Sequence, residues 1–151
     1  MTKKANLHKP GILSKFRHSI PIQLRFKDGD LMGHVNNANH FTFMEIGRLR
    51  YFDDVVDPKN DWQKNGIILA KITIDYLQPV ILSDNLTIWT RCTRLGNKSF
   101  DMEYELRNTV KGKSVIRAIG TSTLVCFNYL KNISVVMPAK WRKKIIAFDR
   151  L

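Results

Sequence analysis

The sequence has little of what builds a secreted or membrane-embedded protein. Only two of its 151 residues are cysteines, Cys92 and Cys126. Two are too few for a disulfide framework, and they sit at no spacing that a metal site uses. A reducing, cytoplasmic compartment is therefore expected. No apolar run approaches the ~18 residues of a membrane span, and the N-terminus has no apolar stretch suited to a secretory signal. Acids are also scarce, with 13 Asp and Glu against 25 Lys and Arg for a net charge of +12. That imbalance is local. Residues 1–20 hold five Lys or Arg and no acid, and residues 130–151 hold six against Asp149, so the two ends carry ten of the twelve charges. Basic ends suit a solvated surface or a polyanionic ligand. No folded nucleic-acid module is recognisable, so no nucleic-acid partner is expected.

What is present is a chain of one ordinary domain. At 17.5 kDa it is long enough to bury a sizeable core, and 44% apolar with 25% charged residues is a globular composition. Residues 1–17 mix Lys, Gly and Pro without a period and read as a mobile basic arm. Residues 18–151 read as a single domain.

Within it, Ile20, Ile22, Leu24 and Phe26 alternate with polar residues, which predicts a first strand. Ala38 to Val56 predicts a long helix that ends at Asp57-Pro58. Residues 38, 41, 45, 48 and 52 share one face, and Phe43, Met44, Ile46 and Leu49 widen the apolar surface, so most sides of the helix should be buried. Four period-2 strands follow. Ile68, Ala70, Ile72, Ile74 and Tyr76 share a face, as do Leu86, Ile88, Thr90 and Cys92. Phe100, Met102, Tyr104 and Leu106 share another, and Val115 to Phe127 is the longest run. Gly96-Asn97 and Lys111-Gly112 mark hairpin turns. Ala139 to Ala147 predicts a short docking helix with Trp141, Ile145 and Phe148 facing inward. The order predicts an α+β fold, an antiparallel sheet of five or six strands wrapped around one long central helix. Such a sheet has edges that a second copy of the chain would cover.

The chemistry points to the loop Asp28-Gly29-Asp30-Leu31-Met32-Gly33-His34-Val35-Asn36-Asn37, which sets carboxylates beside a helix N-terminus. The unpaired N–H groups there carry partial positive charge and can stabilise an oxyanion. A nearby carboxylate can activate water or attack directly. On composition alone, Asp28 and Asp30 also suit turn positions, and Asn36 and Asn37 suit caps.

The string from Asp30 to Phe41, with Glu45, Arg48 and Tyr51-Phe52 downstream, resembles the signature of the hot-dog-fold acyl thioesterases, in particular the 4-hydroxybenzoyl-CoA thioesterase-like branch. Ile74-Asp75-Tyr76-Leu77-Gln78-Pro79 and the strand around Gly120-Thr121-Ser122-Thr123 extend the likeness, which runs from about Ile20 to Phe148. The resemblance implies hydrolysis of an acyl-CoA or acyl-carrier-protein thioester to free acid and thiol. It implies Asp30 as nucleophile or general base, the helix N-terminus at Asn37 as oxyanion donor, and His34 as the third catalytic position. Gly33, Asn36, Phe41 and Glu45 are the implied substrate-binding residues; helical spacing also lets Glu45 pair with Arg48, one turn away, or with backbone groups of the signature loop. No metal and no cofactor are implied, CoA entering only as part of the substrate. A homodimer or homotetramer is expected. A non-catalytic acyl-CoA-binding or sensing protein is the alternative, since one fold serves several functions.

Overall fold

The computed structural model describes residues 15–151, so positions 1–14 of the expected arm lie outside the described residues. Its last three residues lie against the domain. Lys15 Nζ pairs with Glu103 at 3.1 Å, Phe16 is buried between the guanidinium groups of Arg91 and Arg107, and Arg17 donates to the carbonyl of Phe148.

The sheet is antiparallel throughout. Its strands are β1 (His18–Pro21), β2 (Gly66–Tyr76), β3 (Leu86–Leu95), β4 (Ser99–Val110) and β5 (Lys113–Asn128), with a two-residue β6 (Ile133–Ser134). The spatial order is β1-β3-β4-β5-β2, and β6 pairs with β5. Helix α1 (Asn37–Tyr51) lies on the inner face of this sheet, and α2 (Ala139–Asp149) closes one end. This is the α+β arrangement that the alternation and the single long helix predict.

The middle strands follow their sequence pattern closely. Leu86, Ile88, Thr90 and Cys92 of β3 and Phe100, Met102, Tyr104 and Leu106 of β4 are all buried. Period 2 works there because one face meets α1 while the other meets water. Lys111 and Gly112 both have positive φ, 49° and 74°, as a tight two-residue hairpin requires.

Four details differ from expectation. The first strand is shorter at its end and begins earlier, because the Asp28 carboxylate takes the Arg25 backbone N–H at 2.8 Å and its guanidinium at 2.9 Å. That clamp turns Phe26–Asp28 into a 3-10 turn and leaves the Phe26 side chain 94% exposed. In β2 the register shifts between Leu69 and Lys71. A bulge at Ala70 reverses the parity of the strand, so Ile67, Ile72 and Ile74 pack on the core while Ile68 faces out. The predicted helix is two elements, α1 and a π-helical turn, Phe52–Val56. Finally, α1 buries one stripe, His40, Phe43, Met44, Gly47, Arg48 and Tyr51. Phe41, Ile46 and Leu49 are exposed, so most sides of the helix are not covered.

Two glycines set the depth of α1 in the sheet. A Cβ on Gly47 would lie 2.8 Å from Thr90 Oγ1 and 3.1 Å from Ile88, and a Cβ on Gly120 would collide with Met44. Past the helix end, Phe52 is fully buried against Phe100, Trp62 and Trp141, with ring centroids 5.9, 5.4 and 4.9 Å away. Both cysteines are buried in strands. Burial pushes the Cys92 thiol up to about 12 and the Cys126 thiol to about 11, with the Asp149 charge adding to the first shift. Phe52→Ala should lower unfolding stability by about 3–5 kcal/mol, read as a reduced midpoint in urea with the slope unchanged.

Candidate active site

The loop before α1 is a closed ring of backbone hydrogen bonds. Gly29 and Val35 bridge, Asp30 N–H donates to the His34 carbonyl at 2.7 Å, and Gly33 N–H donates back to the Asp30 carbonyl at 3.1 Å. Gly33 has a φ of +77°, which glycine adopts without strain. From the other side, Val35 N–H is held by the Val80 carbonyl and Asn36 N–H by the Asp28 carbonyl. The buried Asp28 serves this scaffold. Its ion pair with Arg25 holds its carboxyl below the ordinary range.

Asp30 is positioned by the ring it closes. Its Oδ1 accepts from Met32 N–H at 2.8 Å and His34 N–H at 3.2 Å. Its Oδ2 has no partner among the described residues. The helix begins one turn later with Asn36 as N-cap, Oδ1 accepting Ala38 N–H at 2.9 Å. Asn39 N–H is taken by the Asn36 carbonyl. Asn37 N–H is left without a partner among the described residues, the open donor of a helix N-terminus.

A cleft of about 300 Å³ opens here, lined by Asp30, Met32, His34, Asn37 and His40 on one side and by Tyr76 to Val80 on the other. Three of the sequence-proposed residues, Asp30, His34 and Asn37, therefore share one cavity. Gly33 and Asn36 shape the loop and the cap beneath it. Phe41 and Glu45 do not reach it. Both are exposed positions of α1 that share a different cavity beside β2. Glu45 is not paired with Arg48, whose Nη1 donates instead to Tyr104 Oη at 3.2 Å.

Two cleft residues escape a reading of the sequence. Tyr76 donates its hydroxyl to the Asn37 carbonyl at 3.0 Å, tying the end of β2 to the start of α1. His40 is 2% exposed, its ring set edge-on to Tyr76 at 5.0 Å. Its Nδ1 lies 3.4 Å from the Asn36 carbonyl, and its Nε2 is buried with no partner. The only advance signals were the position of His40 one turn into the helix and of Tyr76 within the Ile74–Pro79 string. Burial lowers the His40 pKa, so the folded protein keeps the ring neutral where the unfolded chain takes up a proton. Stability should therefore fall as pH drops below about 6.5 toward the lowered folded value. His40→Phe should flatten that segment in urea titrations run across pH 4–7.

The profile of the thioesterase-like superfamily matches residues 24–145. The long-chain acyl-CoA thioesterase FadM of Escherichia coli is 26% identical over 129 residues, covering 82% of this chain and 93% of that protein. The uncharacterized protein YsmA of Bacillus subtilis is 26% identical over 83 residues, 55% of this chain; the match spans 56% of that protein, just over half its length. A Thermus thermophilus thioesterase, crystallised in complex with coenzyme A and Zn, matches with a TM-score of 0.76 and 31% identity over 92% of this chain and 99% of that one.

Proposed function

The chain belongs to the thioesterase-like superfamily, and from that membership we propose that it hydrolyses an acyl-CoA thioester to a free acid and a thiol, with Asp30 as the reacting carboxylate. The observation that carries the proposal is one juxtaposition. The unpartnered Oδ2 of Asp30 lines the same cleft as Asn37, whose N–H is open at the start of α1. A thioester carbonyl oxygen directed at that N–H presents its carbon to the carboxylate. Two routes then give the same products. As general base, Asp30 takes a proton while the water oxygen bonds to the carbonyl carbon. As nucleophile, it forms an anhydride that water opens. In both the C–S bond breaks and the thiolate leaves, to be protonated. The developing oxyanion gains from a donor fixed in advance by the Asn36 cap and the Tyr76 hydrogen bond. His34 holds the loop through its backbone, donating to Asp30 Oδ1 and accepting from Asp30 N–H. The reaction so written draws on protein groups and water and calls for no cofactor.

CoA as carrier is supported by the name of FadM and by the coenzyme A in the Thermus complex. The excess positive charge of the chain favours a polyanionic carrier. A second copy of the chain belongs at the free edge of β2, an eleven-residue strand that pairs on one side only and exposes Ile68 on its outer face, an edge that needs covering. Among the described residues no helix is long and apolar enough to cross a membrane.

Thiol release from short, medium, long-chain and aromatic acyl-CoAs tests the reading. Asp30→Asn should lower kcat by roughly 10²–10⁴ with the melting temperature nearly unchanged. Near-normal turnover in that variant would overturn the assignment. Tight acyl-CoA binding with no turnover on CoA or carrier-protein esters would make the chain a sensor instead.

A further inference from the structure

Helix α2 carries its charges against its own dipole. A helix N-terminus is positive and its C-terminus negative, so acids are favoured at the first and bases at the second. Here the first turn has no acid and the last turn no base. Lys140 and Arg142 stand in the first turn, Lys143 and Lys144 follow, and Asp149 closes the helix. Lys140 also meets Lys143 and Lys144 at i+3 and i+4 spacing, where like charges repel. Asp57 engages Lys140 at 2.7 Å, and Arg142 reaches the Gly96 carbonyl. Lys143 and Lys144 are exposed and have no ion pair or hydrogen bond among the described residues. The helix docks through Trp141 and Ile145, which need neither of them. Cations that cost a helix stability and serve none of its contacts point to a partner of opposite sign.

Exposed aliphatic side chains stand beside them. The chain reaches α2 through residues 129–138, where Leu130, Ile133 and Val136 are 65%, 50% and 56% exposed. Backbone bonds fix this segment. Met137 N–H donates to the Asn97 carbonyl at 2.9 Å and Cys126 N–H to the Lys98 carbonyl at 2.7 Å. With the Arg142–Gly96 contact, they knit the β3–β4 hairpin to the end of β5 and the start of α2. Lys98 and Lys131 are exposed here too. The patch is remote from both places already assigned. Phe127 of β5 pairs with Gly66 of β2 on one side and with Ser134 of β6 on the other, so β6 lies across β5 from the β2 edge. Helix α2 packs on the turn that ends α1, Trp141 against Phe52, whereas the Asp30 cleft opens at the other end of α1.

We propose that this end of the molecule docks on an anionic lipid bilayer, with Lys143 and Lys144 among the headgroups and Leu130, Ile133 and Val136 at the acyl boundary. Cations beside exposed aliphatic side chains make an interfacial surface, because lysine stems lie along apolar material while their ammonium groups stay with phosphate and water. A nucleic acid gains nothing from the aliphatic side chains, and the one aromatic ring of the segment, Tyr129, is tied to the Ile67 carbonyl. An acidic carrier protein that delivers a thioester must approach the cleft, and this patch lies at the far end of α1 from it. The contact is peripheral, since no described helix is long and apolar enough to cross a membrane. It rests on this end of the chain alone and stands or falls apart from the role of Asp30.

Co-sedimentation of the full chain with lipid vesicles tests the docking without reference to turnover. The protein should bind vesicles of phosphatidylcholine and phosphatidylglycerol in equal parts and should not bind phosphatidylcholine alone. Lys143→Gln and Lys144→Gln should each weaken binding about fivefold. Leu130→Ser combined with Val136→Ser should weaken it with every charge in place. All four positions are exposed, so the variants should melt at the wild-type temperature. Wild-type binding in the paired lysine variant would overturn the proposal, because other cations would then hold the vesicle. Wild-type binding in the paired serine variant would overturn it equally, leaving a surface for soluble polyanions rather than a bilayer. Absence of binding to the mixed vesicles would end it outright.

Discussion

The close approach of α1 to the sheet is the constraint on which the rest depends. Gly47 on the helix and Gly120 on β5 each give up a side chain where the facing surface, Thr90 with Ile88 or Met44, already fills the space. An added methyl at Gly47 would press on Thr90 and Ile88 in a close-packed interior, whereas at Gly120 it would displace the terminal Sδ and Cε of Met44. The helix depth in turn fixes where its first turn emerges. There Tyr76 reaches the Asn37 carbonyl and ties that first turn to the end of β2. A contact in the middle of the helix thus governs the geometry of a cleft at its end.

The acids of the signature loop divide their tasks by burial. Asp28 is buried and fully engaged, by Arg25 on its side chain and by Asn36 and Asn39 on its carbonyl. Asp30, two residues on, keeps one oxygen for the loop and one for the cleft. The same residue type is structural in one place and free to face a ligand in the other, because the first has exchanged water for an ion pair and the second has not. Arg48 shows the opposite imbalance, a buried cation held by neutral partners.

Much of the fold was legible in the sequence where a single periodicity met a single face. β3 and β4 alternate cleanly, and their inward residues are the buried ones. The pattern misled where a side chain or a bulge broke the period. Asp28 ends the first strand by capping Arg25, and nothing in the alternation of Ile22, Leu24 and Phe26 signals it. The extra residue at Ala70 inverts the faces of β2, so Ile68 leaves the core although its spacing fits. β6 is too short to have a period. For the candidate site, the run from Asp30 to Asn37 is contiguous, and local hydrogen bonds bring its key members together. His40 and Tyr76 stand 36 residues apart in sequence and meet only because β2 returns beside α1, a tertiary fact that no local pattern carries. Helical spacing pairs Glu45 with Arg48, but spacing takes no account of the Tyr104 hydroxyl that accepts from the guanidinium.

The burial of the two cysteines bears on redox chemistry. With the Cys92 thiol held near 12 and the Cys126 thiol near 11, almost no thiolate exists at neutral pH, and thiolate is the species that attacks disulfides and peroxides. The proposed hydrolysis liberates one free thiol per turnover, which sets the folded chain among reactive sulfur. Its own sulfur is kept out of exchange with that product, so neither mixed disulfides nor oxidation should accumulate on the folded chain.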